Sequence, residues 1–254
     1  MTTRSPFDLT GRTALVTGAN TGIGQGIALA LAQAGAKVVA AGRSSMDETV
    51  AAISAIGGTC LPLTVDLQEK GIAPRLIEEA GALAGPLDIL VNNAGIIRRA
   101  DALDFSEEDW DEVMNLNLKA NFFLAQAFAR RCLADKRGGR IVNIASLLSF
   151  QGGIRVASYT ASKSGLAGLT RLLACEWAAK GINVNAIAPG YVETNNTQAL
   201  REDPERSAAI LSRIPAGHWG KPSDIGGTAV FLASDAAAYV HGAVIPVDGG
   251  WLAR

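Results

Sequence analysis

The chain is expected to fold as α/β, with one doubly wound parallel sheet of seven strands and helices on both faces. Three features predict it. Short apolar runs alternate with longer helical stretches along the sequence. No linker, low-complexity tract or repeat divides its 254 residues, so a single domain spanning 1–254 is expected. That length exceeds an average domain, yet one α/β sheet fold can hold it. Strand–helix alternation of this kind implies parallel pairing with right-handed crossovers.

The first strand is expected at residues 13–16, an apolar run leading into Thr17-Gly18-Ala19-Asn20-Thr21-Gly22-Ile23-Gly24. The next ten residues have helical composition and are closed by Gly35. Further strands are expected at 37–41, 60–64, 89–91, 140–144, 183–187 and 244–247. Long helices should cover 107–131 and 157–179. Residues 191–216 break the pattern, being polar and placed between a strand and Pro222. A segment that long without a sheet role suggests an active-site flap.

A strand, a glycine turn and a helix in that order form the context in which a glycine-rich loop binds a dinucleotide. Gly18 permits the tight turn, Gly22 lets the backbone approach a pyrophosphate, and Gly24 packs helix on strand. Free N–H groups at the helix start, around Asn20, Thr21 and Ile23, then face phosphate oxygens.

The cofactor's second phosphate is addressed at the end of the second strand. An NAD enzyme usually places Asp or Glu there for the ribose 2′-hydroxyl. Here Gly42 holds the place, followed by Arg43, Ser44 and Ser45, and no carboxylate appears before Asp47. An Arg with neighbouring hydroxyls suits a 2′-phosphate, so NADP(H) is favoured. An Arg43 that only stacks on adenine would admit NAD(H).

Tyr159 and Lys163 lie four residues apart in Tyr159-Thr160-Ala161-Ser162-Lys163. On a helix they share a face, and an ammonium there favours the phenolate. Such a pair reads as an acid/base tuned for carbonyl–alcohol interconversion.

Composition limits the alternatives. The chain is 48% hydrophobic with a formal net charge of −1, which supplies a large core and no footprint for nucleic acid. Cys60, Cys132 and Cys175 form no close pair and no metal spacing, fitting buried thiols in a reducing cytoplasm. His218 and His241 are the only histidines and no carboxylates cluster at ligand spacing, so no metal is expected. His218 and Trp219 are read as packing residues. Residues 1–11 hold one Arg and no long apolar segment, so no signal peptide is expected. No apolar run approaches the length of a membrane span.

The spacing Gly-x-x-x-Gly-x-Gly, with Tyr-x-x-x-Lys about 135 residues later, resembles the short-chain dehydrogenase/reductase family across essentially the whole chain. That family folds around a Rossmann-type sheet. Asn92-Asn93-Ala94-Gly95 is similar to its strand-end motif beside the cofactor, and Pro189-Gly190 to its nicotinamide-side turn. The resemblance also implies cofactor contacts at Asp66, Leu67, Val192 and Thr194, with Asp66 bonding the adenine amino group. A helix N-cap is the other reading of Asp66. By the same resemblance Ser146 holds the substrate oxygen and Lys163 the nicotinamide ribose. Asn117 would anchor a water that links Lys163 to solvent. Homotetramers are the implied assembly, through faces of the two long helices.

Four longer strings narrow the likeness: 149–159, 190–198, 213–220 and 247–254. They resemble the family's 2-deoxy-D-gluconate 3-dehydrogenase subgroup, also called 2-dehydro-3-deoxy-D-gluconate 5-dehydrogenase. That subgroup is associated mostly with NAD, from which Gly42-Arg43 departs. The implied substrate is a sugar acid, which needs a cation for its carboxylate. Arg98, Arg99 and Arg155 are the candidates, with Gln151, Asn195, Asn196 and Gln198 for hydroxyls. Gluconate 5-dehydrogenase and 3-oxoacyl carrier-protein reductase are rival activities, and a catalytically silent dinucleotide sensor is a remote one.

Overall fold

The computed structural model describes residues 5–254; Met1 to Arg4, the start of the stretch read for a leader, lie outside them. Seven parallel strands form one sheet in the order β3-β2-β1-β4-β5-β6-β7. They are β1 (Thr13–Thr17), β2 (Lys37–Gly42), β3 (Cys60–Thr64), β4 (Ile89–Asn92), β5 (Gly139–Ile144), β6 (Ile182–Pro189) and β7 (Val244–Val247). β1 pairs with β2 on one side and β4 on the other, with Val16 opposite both Ala40 and Val91. Strand order therefore reverses between β1 and β4, which opens a crevice at their carboxyl ends.

Successive side chains of a strand point to opposite faces, and the two cores follow that rule. Ala14, Val16, Val38, Ala40, Ile89 and Val91 pack under α1 (Gly22–Gln33) and α9 (Pro222–Ala233). Leu15, Val39, Leu90 and Ile141 pack against α3 (Ile72–Ala84), α5 (Asn121–Ala134) and α6 (Ala157–Trp177). α2 (Asp47–Ala55) follows β2 and buries Ile53 with the first group. Strands buried on both faces read as near-continuous apolar runs, which is why they were visible in the sequence.

Two helical expectations change in detail. The stretch expected as one helix over 107–131 is α4 (Glu107–Met114), a π-helical turn at Asn115–Ala120, and α5. Ser106 caps α4 by accepting from the Asp109 N–H at 3.2 Å. The flap, 191–216, is more helical than its polar composition suggests. It holds a 3₁₀ turn (Asn195–Thr197), α7 (Gln198–Glu202) and α8 (Pro204–Leu211). Asp203 caps α8 by accepting from the N–H groups of Glu205 and Arg206, ahead of Pro204 in the first turn. The flap packs on the chain's end through Ile210, Ile214, Trp219 and Trp251, with the Arg213 guanidinium 4.1 Å from the Trp251 ring centre.

All three thiols are free. Burial pushes Cys60 and Cys132 up to about 11, but Cys175 is exposed, against the expectation of three buried thiols. Trp219 is buried as expected, whereas His218 is exposed, its Nδ1 2.9 Å from the Trp219 carbonyl. No described helix is long and apolar enough to cross a membrane.

Candidate active site

The crevice continues into a cleft of about 380 Å³ that runs from the glycine loop to α6. Every residue expected to hold the dinucleotide lines it, from Gly18 and Arg43 to Pro189 and Thr194. Gly18 sits at φ +63°, and a Cβ there would lie 3.0 Å from Ala94 Cα. A Cβ on Gly24 would overlap the Gly18 carbonyl, so no other residue lets helix, loop and strand approach this closely. The N-cap Thr21 makes no side-chain cap to α1, which leaves the first N–H groups of α1 for an anion. A Cβ on Gly22 would come 3.2 Å from Thr194 Cγ2, so the flap's start lies over the loop.

Two residues not singled out in the sequence hold this end together. Buried Thr17 accepts at Oγ1 from the Asn93 and Ala94 N–H groups at 3.0 and 3.1 Å, and donates to the Val91 carbonyl. Asn93 returns the link by donating from Nδ2 to the carbonyls of Thr17 and Gly18. Thr49 on α2 donates to the Ala19 carbonyl at 2.7 Å. Neither Thr carries a motif; only the pairing of β1 with β4 and the return of α2 give them partners. At the far rim, the exposed Arg43 stands 4.0 Å from Asp66, beside Ser44. Asp66 also accepts from the Gln68 N–H in a local turn, but it caps no helix, since α3 begins at Ile72 behind Gly71.

At the other end Ser146 follows β5, its Oγ accepting from the Leu148 N–H at 3.2 Å. Tyr159 and Lys163 stand on the first turns of α6, with Lys163 Nζ 5.6 Å from the phenol ring centre. Lys163 is 4% exposed and donates to the Ile144 carbonyl at 2.6 Å. Burial without a countercharge brings its pKa down to about 8.

The phenol corrects the sequence argument. Burial holds Tyr159 above its ordinary value, while a hydrogen bond with Ser146 and the charge of Arg99 pull it back.

Asn117 stands behind the cleft, not on its wall. Its Oδ1 accepts from the Ile96 N–H and its Nδ2 donates to the Ile96 carbonyl, both at 2.9 Å. The side-chain amide is thus bonded at both ends to the strand exit, pinning Gly95-Ile96.

The substrate residues divide. Ser146, Tyr159, Asn195 and Asn196 line the cleft, whereas Gln151, Gln198, Arg98, Arg99 and Arg155 do not. Arg98 is held by Glu112 at 2.7 Å and Asp109 at 3.4 Å, on the acidic first turns of α4. Arg155 pairs with Asp101 at 3.2 Å and takes φ +63°. Gln151 accepts from the Trp251 indole N–H at 3.1 Å. Arg99, the third candidate, makes no ion pair among those described; it donates to the Asn196 carbonyl at 2.9 Å and its charge reaches Tyr159.

Residues 18–252 match a family model described as enoyl-(acyl carrier protein) reductase, a span that includes the glycine loop, Asn117, Ser146, Tyr159 and Lys163. The chain belongs to the short-chain dehydrogenase/reductase family. It is 60% identical over 250 residues to 2-dehydro-3-deoxy-D-gluconate 5-dehydrogenase of Escherichia coli K12, covering 98% of this chain and 99% of that one. A crystal structure from Agrobacterium tumefaciens, bearing the name 2-deoxy-D-gluconate 3-dehydrogenase and holding NADP, is 64% identical with a TM-score of 0.93. The match covers 99% of this chain and 100% of that one. A gluconate 5-dehydrogenase from Burkholderia cenocepacia J2315, in complex with NADP and tartrate, is 39% identical with a TM-score of 0.92 over 98% of each chain.

Proposed function

We propose that this short-chain dehydrogenase/reductase interconverts a secondary alcohol and a ketone on a sugar acid, with 2-dehydro-3-deoxy-D-gluconate or 2-deoxy-D-gluconate as substrate. The observation that carries the reaction class is the meeting of Ser146, Tyr159 and Lys163 in the cleft that the glycine loop opens. The sugar acid rests on the 60% identity to the E. coli 2-dehydro-3-deoxy-D-gluconate 5-dehydrogenase. Gluconate 5-dehydrogenase is the second reading, supported by the fold shared with the tartrate-holding relative.

The glycine loop, Arg43, Ser44 and the turn at Pro189-Gly190 fit a nicotinamide dinucleotide, because Gly18, Gly24 and Gly190 leave no room for a Cβ and the end of β2 carries a cation and no carboxylate. NADP(H) is favoured, with Arg43 on the 2′-phosphate, and NAD(H) stands second. When bound, the dinucleotide supplies the hydride acceptor or donor. Tyr159 takes the hydroxyl proton at its phenolic oxygen in oxidation and returns one in reduction. Ser146 holds the substrate oxygen and stabilises charge developing there. Lys163 holds the nicotinamide ribose and, with its pKa near 8, can pass a proton on near neutral pH. Arg99 replaces Arg98 and Arg155 as the group for the carboxylate, since its charge acts on Tyr159, it bonds the flap at Asn196, and it has no acidic partner among the described residues.

The whole chain acts as one dinucleotide-binding catalytic domain with 191–216 as its flap. A cytoplasmic homotetramer is the assembly we infer, supported by three free thiols and by Trp110, Phe123, Leu172 and Tyr239 exposed on the surface. The test is absorbance at the nicotinamide band with a panel of aldonic and ketodeoxy acids, their neutral analogues, and both nicotinamides. Turnover of sugar acids with NADP is expected; faster turnover of neutral ketones or acyl thioesters would overturn the substrate class.

A further inference from the structure

The π-helical turn at Asn115–Ala120 is held open by one buried side chain. In an ordinary α-turn the Asn121 backbone N–H would bond the Asn117 carbonyl. In a π-turn each N–H bonds the carbonyl five residues back, which takes the Asn121 N–H away from the Asn117 carbonyl, and the Asn121 side chain donates to that carbonyl from Nδ2 at 2.7 Å instead. The same residue accepts, at its own carbonyl, a 3.3 Å bond from Asn92 Nδ2 at the end of β4. Asn92 in turn donates to Asn143 Oδ1 on β5, and Asn143 donates to Thr170 on α6.

Asn121 is 1% exposed, yet its Oδ1 has no hydrogen-bond partner among the described residues. A buried amide with one end unsatisfied lowers stability, and a buried unpartnered group in a native protein points to a role outside stability. Its orientation is fixed by its neighbour, because of the two ends of an amide only the NH2 can donate to a carbonyl oxygen. What needs that donor is the turn it supports. π-turns cluster at functional sites, and this one carries Asn117 to the position from which it pins Ile96. A Cβ on Gly95 would lie 3.0 Å from Asn117 Oδ1 and 3.7 Å from Lys163 Nζ, so the turn backs the cleft wall at the reacting end.

We propose that Asn121 is a positioning residue for the reaction: by donating to the Asn117 carbonyl it keeps the π-turn open, and so sets Asn117, Gly95-Ile96 and the wall beside Lys163. The proposal rests on the reading above that Tyr159 and Lys163 perform the chemistry. Ser on a helix commonly donates to the carbonyl four residues back, whereas Ala cannot, and the two side chains are close in size. Asn121→Ala should therefore lower kcat by about tenfold to a hundredfold while leaving KM for NADP within about twofold, because the adenosine end does not depend on the turn. Asn121→Ser should recover most of that loss at a similar Tm.

The readout independent of turnover is hydrogen–deuterium exchange over 115–122, expected to quicken in the Ala variant and to stay as in the parent in the Ser variant. Equal kcat and equal exchange in the two variants would overturn the proposal, as would a kcat loss that tracks a fall in Tm in both. Should Asn121→Ala fail to fold, Asn121→Leu, which fills the space without a donor, takes its place against the Ser variant. If the parent protein turns over no sugar acid, the functional reading has failed, and the exchange comparison alone still decides what Asn121 does.

Discussion

At the dinucleotide end of the cleft, position is set by backbone: strand ends in register, glycines that admit no Cβ, and N–H groups at a helix start. At the substrate end it is set by side chains reaching between loops. Arg99 holds the flap at Asn196, Arg155 holds Asp101, and Trp251 holds Gln151. Backbone geometry tolerates little substitution, and the Thr17–Asn93 links that support it are fixed by the register of β1 on β4. Side-chain links join residues as much as 100 positions apart, and each can be exchanged without disturbing the sheet. One end can thus keep a cofactor while the other end changes substrate.

The sharpest break between the ends should come from Tyr159→Phe. Loss of the phenolic proton is expected to lower kcat by roughly 10²–10⁴-fold while calorimetric NADP binding stays near the parent value. Substantial remaining turnover would remove Tyr159 as acid/base.

Arg43→Ala acts at the opposite rim. A charge-assisted hydrogen bond to phosphate is worth about 1.5–3 kcal/mol, so NADP should bind on the order of 10–100-fold more weakly, with NAD little changed. Equal weakening of both nicotinamides would mean that Arg43 contacts the adenine instead.

Among the arginines, Arg99→Ala should raise KM for a sugar acid by about tenfold but not for a neutral ketone, since a partly exposed charged contact is worth of the order of 1–2 kcal/mol. Arg98→Ala and Arg155→Ala should leave KM close to the parent, because Glu112, Asp109 and Asp101 already answer their charges. A reversed order in steady-state kinetics would return the carboxylate to Arg155.

The smallest effect is on pH-dependent stability. Lys163 has a pKa of about 8 when folded and 10.5 when free, so between those values the unfolded chain binds more protons. The Lys163 contribution to stability of the cofactor-free protein should therefore rise from pH 8 toward 10, by an amount on the order of 1–2 kcal/mol, with its cost fully present below pH 8, while Cys60 and Cys132, raised from 9.0 to about 11, lower stability over the same window in parent and variant alike. Tyr159, raised above 10, opposes the rise only beyond that window. Urea unfolding of Lys163→Met should lack the rise; parallel profiles would refute the burial argument.

How much could be read beforehand differed between the two ends in the same way. The strands declared themselves as apolar runs, and Gly18, Gly22 and Gly24 by spacing, because strand and turn chemistry act over a few residues. Thr17 and Thr49 stayed hidden, since an isolated Thr has no pattern until β1 meets β4 and α2 folds back. The π-turn hid inside a stretch of good helix formers, its cause being the side chain of Asn121 and not a break in periodicity.

From residue order alone follow the doubly wound sheet, the glycine loop at the start of α1, the placement of Arg43 after β2 and the helical pairing of Tyr159 with Lys163. Each depends on neighbours within a turn or a strand. Tertiary structure alone decided which arginine is left without an acidic partner, which way the Lys163 ammonium turns, and where Asn117 points. Those outcomes depend on countercharges and carbonyls brought in from distant segments, and electrostatic partnership has no period that a sequence can display.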